Sequence, residues 1–208
     1  MSGNQLAEDA RHNLTKSINR MLGPRAVFFW GFLENPGMVA AVTQSSQAVI
    51  DAMLTKIDWA NCRLFVEYGP GVGTFCPHIL KRLPPGGELL VIDTNPRFIQ
   101  YLQDEIDDPR FRAVLGSAQD VERIVRSTRH KQADYVLSGL PISSLPGVVA
   151  QDIARATYRV LRQGGAFLTY QYRAHARDLT RQFFERTDEE TAWRNVPPCL
   201  LTWGWKEP

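Results

Sequence analysis

Apolar side chains recur every four residues near the start of the chain, at Leu6, Ala10, Leu14, Ile18 and Leu22, while Arg11, Lys16 and Arg20 lie off that stripe. This spacing predicts an amphipathic helix over about 4–22. A second apolar helix, over about 26–34, is stopped by Asn35-Pro36, because the residue ahead of a proline is driven out of helical geometry. Ser45-Ser46 can cap a third, with Val49, Ala52, Met53 and Ile57 along one side. Then the period changes. Runs suited to strands occur at Leu64–Glu67, Glu88–Asp93, Phe111–Leu115, Asp134–Ser138 and Gly165–Tyr172. Helical spacing separates them: Phe98, Leu102 and Ile106 in a helix 95–106 that opens on Pro96, and Val149, Ile153, Thr157 and Val160 in a helix 149–161. Strand alternating with helix predicts βαβ units and a parallel sheet. At the end, Thr191–Asn195 and Leu200–Trp205 flank Val196-Pro197-Pro198 without a long helix between them, which predicts an antiparallel hairpin closing the sheet.

Composition narrows the class. With 208 residues, 44% of them hydrophobic, the chain can build one sizeable core plus a small extension. A net charge of +2 is too small to point to nucleic acid. Cys62, Cys76 and Cys199 are odd in number and lack metal-ligand spacing, so neither a disulfide framework nor a zinc site is expected, and a cytoplasmic location is. The polar opening MSGNQLAEDARHN is not expected to be a secretory signal. The longest apolar run, Ala26–Leu33, is far short of the roughly 20 residues that cross a bilayer.

The chemistry concentrates at FVEYGPGVGTF, residues 65–75, where a strand runs into a glycine-rich turn and then a helix. Glycines let the backbone approach a ligand, and a nucleotide cofactor is the usual occupant. A phosphate-binding loop would need Lys-Ser/Thr after the glycines, and Thr74-Phe75 follow instead. A dinucleotide fingerprint would need glycine at position 74. The pattern present is Glu67-x-Gly69-x-Gly71-x-Gly73, and its acid suits a cationic ligand. Asp93 ends the next strand, 20 residues past Gly73, where a carboxylate can hold ribose hydroxyls.

This pattern resembles the first motif of class I S-adenosylmethionine (SAM) methyltransferases. The resemblance implies a Rossmann-like α/β fold with a mostly parallel seven-stranded sheet, an antiparallel C-terminal hairpin and an N-terminal helical extension. It divides the chain into a helical arm, 1–42, and a SAM-dependent methyltransferase domain, 43–208. SAM is the implied cofactor, held by Glu67, Gly69, Gly71, Gly73, Asp93, Thr94, Ser117, Ala118 and Ser138. Gly116-Ser117-Ala118 stands where the family commonly carries Gly-Asp-Ala against the adenine. Ser117 either makes that contact or caps a helix over 119–129.

Ser138-Gly139-Leu140-Pro141 resembles the loop of bacterial phospholipid N-methyltransferases, which methylate phosphatidylethanolamine. Phe32-Leu33-Glu34-Asn35-Pro36 and Trp193-Arg194-Asn195-Val196-Pro197-Pro198 are similar to that family's flanking segments. The rRNA adenine dimethylases are a more distant likeness, with Asn and an aromatic residue where this chain has Ser138 and Ile142. The resemblance implies N-methylation of an aminophospholipid at a membrane surface; a soluble amine, RNA, or SAM binding without catalysis remain as alternatives. An alkylamine must first lose a proton, which costs about 4.6 kcal/mol at pH 7. In-line positioning can supply roughly 7–11 kcal/mol. Positioning groups therefore matter most, and no metal is needed because SAM carries its own electrophile. Tyr172 and His175 resemble a tyrosine–histidine pair of the phospholipid enzymes and are the catalytic candidates, with Tyr170 beside them. Trp193 and the aromatics at 28–32 are candidate walls for a methylated ammonium, and Arg173 and Arg181 candidates for a lipid phosphate. The basic helix over 4–22 either lies on an anionic membrane surface or packs as a lid.

Overall fold

Strands β1 (Leu64–Tyr68) and β4 (Ala133–Ser138) are buried at every position. A near-continuous apolar run implies this burial, since such a strand is covered on both faces. The two lie parallel and adjacent, Val66 beside Val136 and Tyr68 beside Ser138. The computed structural model describes residues 47–193 and 198–207. The helices expected over 4–22 and 26–34, the arm 1–42, the Ser45-Ser46 cap and residues 194–197 lie outside the described residues.

Around this pair run β2 (Glu88–Asp93), β3 (Phe111–Leu115), β5 (Leu161–Gln171), β6 (Arg186–Ala192) and β7 (Cys199–Trp205). The sheet order is β3-β2-β1-β4-β5-β7-β6. Strands β1 to β5 are parallel, while β7 runs antiparallel to both β5 and β6. The expected Rossmann-like seven-stranded sheet with its antiparallel hairpin is the architecture observed.

Helices α1 (Gln47–Leu54), α2 (Cys76–Arg82) and α3 (Pro96–Glu105) share one core cluster, where Met53, Ile79 and Leu102 meet Phe65, Leu168 and Trp203. Trp203 is fully buried, and its indole N–H donates to the Met53 carbonyl at 3.1 Å, tying α1 to β7. The other cluster is built by α4 (Val121–Arg126) and α5 (Gly147–Val160), with Val121 and Ile153 against Val66 and Phe167. Helix α6 (His175–Phe183) packs through Ala176 and Leu179 on Ala150, Ala154 and Ile142.

Three elements differ from the pattern-based expectation. Strand β5 begins at Leu161 rather than Gly165: a register shift against β4 and Gly164 at φ 73° let it start early and resume at Ala166. It ends at Gln171, so Tyr172 stands off the strand. Strand β6 covers Arg186–Ala192 instead of Thr191–Asn195. It is an edge strand with one partner, and its charged run RTDEE protects that edge while hiding the strand from a search for apolar alternation. The helix expected over 119–129 is a 3-10 turn, Ala118–Asp120, followed by the short α4. Ser127 and Thr128 hydroxyls donate to the carbonyls of Ile124 and Val125, both at 2.7 Å, and close the helix early.

Candidate active site

The strand order reverses between β1 and β4, and open α/β sheets bind ligands in the crevice outside the carboxyl ends at such a point. The turn Gly69-Pro70-Gly71-Val72-Gly73 leaves β1 there. Its three glycines have φ of 58°, 56° and 75°. At Gly69 space is also decisive: an added Cβ would stand 2.8 Å from Leu140 Cδ2. One added to Gly139 would stand 2.6 Å from the Gly69 carbonyl oxygen. The loops after β1 and β4 therefore meet backbone to backbone, and Gly139 N–H donates to the Tyr68 carbonyl at 2.8 Å. Gly71 is the opposite case. No protein atom lies within 4 Å of where its Cβ would stand, so its main chain borders open space that a side chain would fill.

Two carboxyls flank this turn. Glu67 is 1% exposed in the middle of the sheet. Burial pushes its pKa up to about 7; the Cys76 thiol, donating to Oε2 at 3.4 Å, opposes that rise and the Asp93 charge adds to it. Cys76 is itself buried, and its pKa is raised by burial and by Glu67, so it stays a protonated donor. Asp93, closing β2, accepts the backbone amides of Asn95 (2.8 Å), Gly71 and Thr94. Burial nevertheless raises its pKa, the amides acting against that. Two acids at one turn repel each other and are poorly hydrated, an arrangement that a cationic ligand bearing hydroxyl donors relieves.

The remaining predicted residues divide into two groups. Ser138 ends β4, fully buried, and its Oγ accepts Leu140 N–H at 3.3 Å. The turn after β3 is tied to β2 by Gly116 N–H donating to the Asp93 carbonyl at 2.9 Å. Ser117 caps the 3-10 turn by accepting Gln119 N–H at 3.2 Å, and Ala118 is buried behind it. Glu67, Gly69, Gly71, Asp93, Thr94 and Ser138 are thus brought around one crevice. Tyr172 and His175 stand at its rim, Tyr172 exposed just past β5 and His175 exposed at the start of α6. Tyr170 reaches further in: its ring lies 4.9 Å from that of Phe75, and its hydroxyl is 3.0 Å from where a Gly139 Cβ would stand. Gln171 donates to the Leu140 carbonyl and fixes the loop from the other side. Arg173 is exposed, whereas Arg181 is engaged by Glu189.

A methyltransferase-domain family model matches residues 66–169 of the 208, a span that holds the turn, Asp93 and the Ser138 loop. The chain belongs to the methyltransferase-domain family. An ornithine lipid N-methyltransferase from Singulisphaera acidiphila is 29% identical over 83% of the chain and 91% of that relative. A ribosomal RNA small subunit methyltransferase H from Shewanella denitrificans is 27% identical over 70% of the chain and 49% of its own length. Two solved structures share the fold at 14% identity. One is a precorrin-6y C5,15-methyltransferase from Geobacter metallireducens, with TM-score 0.63 over 79% of this chain and 93% of the other. The second is the N-methyltransferase NodS from Bradyrhizobium japonicum in complex with S-adenosyl-L-homocysteine, with TM-score 0.60 over 83% and 93%.

The protein is a SAM-dependent N-methyltransferase of class I, as its sequence motifs imply, and the crevice of this methyltransferase fits the cofactor. The open main chain at Gly71 and the paired acids Glu67 and Asp93 suit a ligand that is cationic at one end and carries ribose hydroxyls. Pattern reading missed the Cys76 thiol beneath Glu67, and Gly139 as the glycine that admits the β1 turn. The first had no signal beyond its place nine residues after Glu67. The second was visible as a lone glycine directly after a strand.

Proposed function

We propose that the enzyme transfers the SAM methyl to the amine of a lipid headgroup, an aminophospholipid such as phosphatidylethanolamine or a related amino lipid, at a membrane surface. The observation that carries this reading is the similarity to an ornithine lipid N-methyltransferase along 83% of the chain. No helix among the described residues is long and apolar enough to cross a membrane.

In this reading Glu67 faces the cofactor's ammonium, and Asp93 with Thr94 its ribose. Gly69, Gly71 and Gly73 give main-chain access, Ser117 and Ala118 border the adenine, and Ser138 with its loop borders the methyl. SAM supplies the electrophilic methyl and the leaving group when bound. The side chains align a neutral amine with it: Tyr170 from the crevice wall, Tyr172 and His175 from the rim, where the proton leaves the nitrogen. Arg173 is placed for a headgroup phosphate. The test is to incubate the protein with methyl-labelled SAM and a total lipid extract, with total RNA in parallel. Label in an amino lipid is expected; label in RNA alone would move the protein to the nucleic-acid class.

A further inference from the structure

Four large apolar side chains are exposed among the described residues: Leu115 (55%), Val148 (73%), Tyr172 (45%) and Trp193 (77%). Single exposed apolar residues are ordinary on a protein surface; several that share one end of a fold are not. All four stand at one end of the sheet. Leu115 is the last residue of β3, Tyr172 follows β5 and Trp193 follows β6. Strands β5 and β6 both run antiparallel to β7, so these are carboxyl ends alike. Val148 is the second residue of α5, which starts where the loop from β4 turns back. This is also the end that carries the glycine turn, Asp93 and Ser138.

We propose that this end of the sheet, through Leu115, Val148, Tyr172 and Trp193, is the surface that seats the protein on a lipid bilayer. Tyrosine and tryptophan combine an apolar body with a polar tip and are enriched at membrane–water interfaces. Arg97, in the first turn of α3, and Arg173, between β5 and α6, are exposed at the same end and make no ion pair among the described residues. Cations so placed suit anionic headgroups. The nearby acids Asp120 and Asp178 are held by Arg123 (3.3 Å) and Arg177 (2.7 Å). With the crevice opening between these side chains, an amine on a headgroup enters without its lipid leaving the bilayer. The inference rests on the lipid-amine reading and draws on the described residues alone.

The experiment uses the full chain and the double variant Leu115→Ser with Val148→Ser, whose side chains are both exposed and belong to no part of the cofactor or acceptor site. Both are sedimented with vesicles of equal parts phosphatidylethanolamine and phosphatidylglycerol, and SAM binding confirms that the variant is folded. Vesicle binding is expected to weaken by about tenfold or more, while methyl transfer to the same lipids dispersed in detergent is unchanged. Brominated acyl chains are expected to quench tryptophan emission in the native chain and much less in Trp193→Phe. Equal vesicle binding by the native chain and the double variant, or equal quenching with and without Trp193, would overturn the proposal. Vesicle binding decides the surface even if no lipid is methylated in detergent, a result that would count against the acceptor reading alone.

Discussion

The two halves of the sheet solve different problems. The half built from β1, β2 and β3 presents main chain and two carboxyls at the crevice, all held in place: Glu67 by burial and Cys76, Asp93 by three backbone amides. The half built from β4 to β7 offers side chains at the ends of strands, of which Tyr172, His175 and Trp193 are exposed. A cofactor of fixed shape rewards a rigid cradle, because preorganised groups lose little freedom on binding. An acceptor that arrives from a surface is met by exposed groups on loops carried by the scaffold. The halves are joined by the β1–β4 pairing, and above it their loops meet where Gly69 packs on Leu140 and Gly139 N–H donates to the Tyr68 carbonyl.

The sharpest way to break this division is to strike the cofactor half alone. Asp93→Ala removes charge-assisted hydrogen bonds and is expected to weaken SAM binding by about 3 kcal/mol, roughly 100-fold, by calorimetry. The fold should survive, because the amides of Asn95 and Thr94 lie where water can replace the carboxylate. Next is the seam. Gly139→Ala would place a methyl 2.6 Å from the Gly69 carbonyl oxygen and 3.0 Å from the Tyr170 hydroxyl. It is expected to cost about 2 kcal/mol of stability in denaturant unfolding and to lower activity and SAM affinity together. An effect on one without the other would show that the halves are not joined there.

Glu67 adds a pH dependence confined to the cofactor side. Its folded-state pKa of about 7 lies above the ordinary 4.5. The folded, ligand-free protein therefore holds this proton more tightly than the unfolded chain does. The contribution to stability is fully present below pH 4.5 and is lost as pH rises to about 7, by about 3 kcal/mol. A cationic ligand favours the ionised form, so SAM affinity is expected to fall by up to about tenfold per pH unit below 7. Glu67→Gln should flatten that profile. The smallest effect is expected at the rim: His175→Ala should lower kcat by about tenfold, and leave SAM affinity as it was. A loss of SAM affinity in that variant would end the separation of the two halves.

How much could be read beforehand follows the same line. Gly69, Gly71 and Gly73 and the strand-ending Asp93 were legible because backbone geometry and strand ends leave a local signature. β1, β2 and β4 were legible because doubly covered strands are almost uniformly apolar. The acceptor half was less so. Strand β6 is polar, and its pairing with β7 is a property of the sheet edge rather than of its own residues. Tyr170 and Tyr172 are two apart in sequence, and only the strand's end at Gln171 separates the one that enters the crevice from the one at the rim. Ile142 lies in a core cluster with α6, so its comparison with an aromatic residue concerns packing.

Far from the crevice, one carboxylate fastens the base of the sheet. Asp134, 5% exposed, accepts the amides of Arg63 and Leu64 at 2.7 and 2.8 Å and pairs with Arg162, so the amino ends of β1, β4 and β5 share an anchor. A scaffold clamped at its foot tolerates rewriting at its summit. Residues 139–146 or 172–175 could be exchanged for those of a methyltransferase with another acceptor while the strands beneath keep their alignment, which makes this chain a chassis for redirecting which amine is methylated.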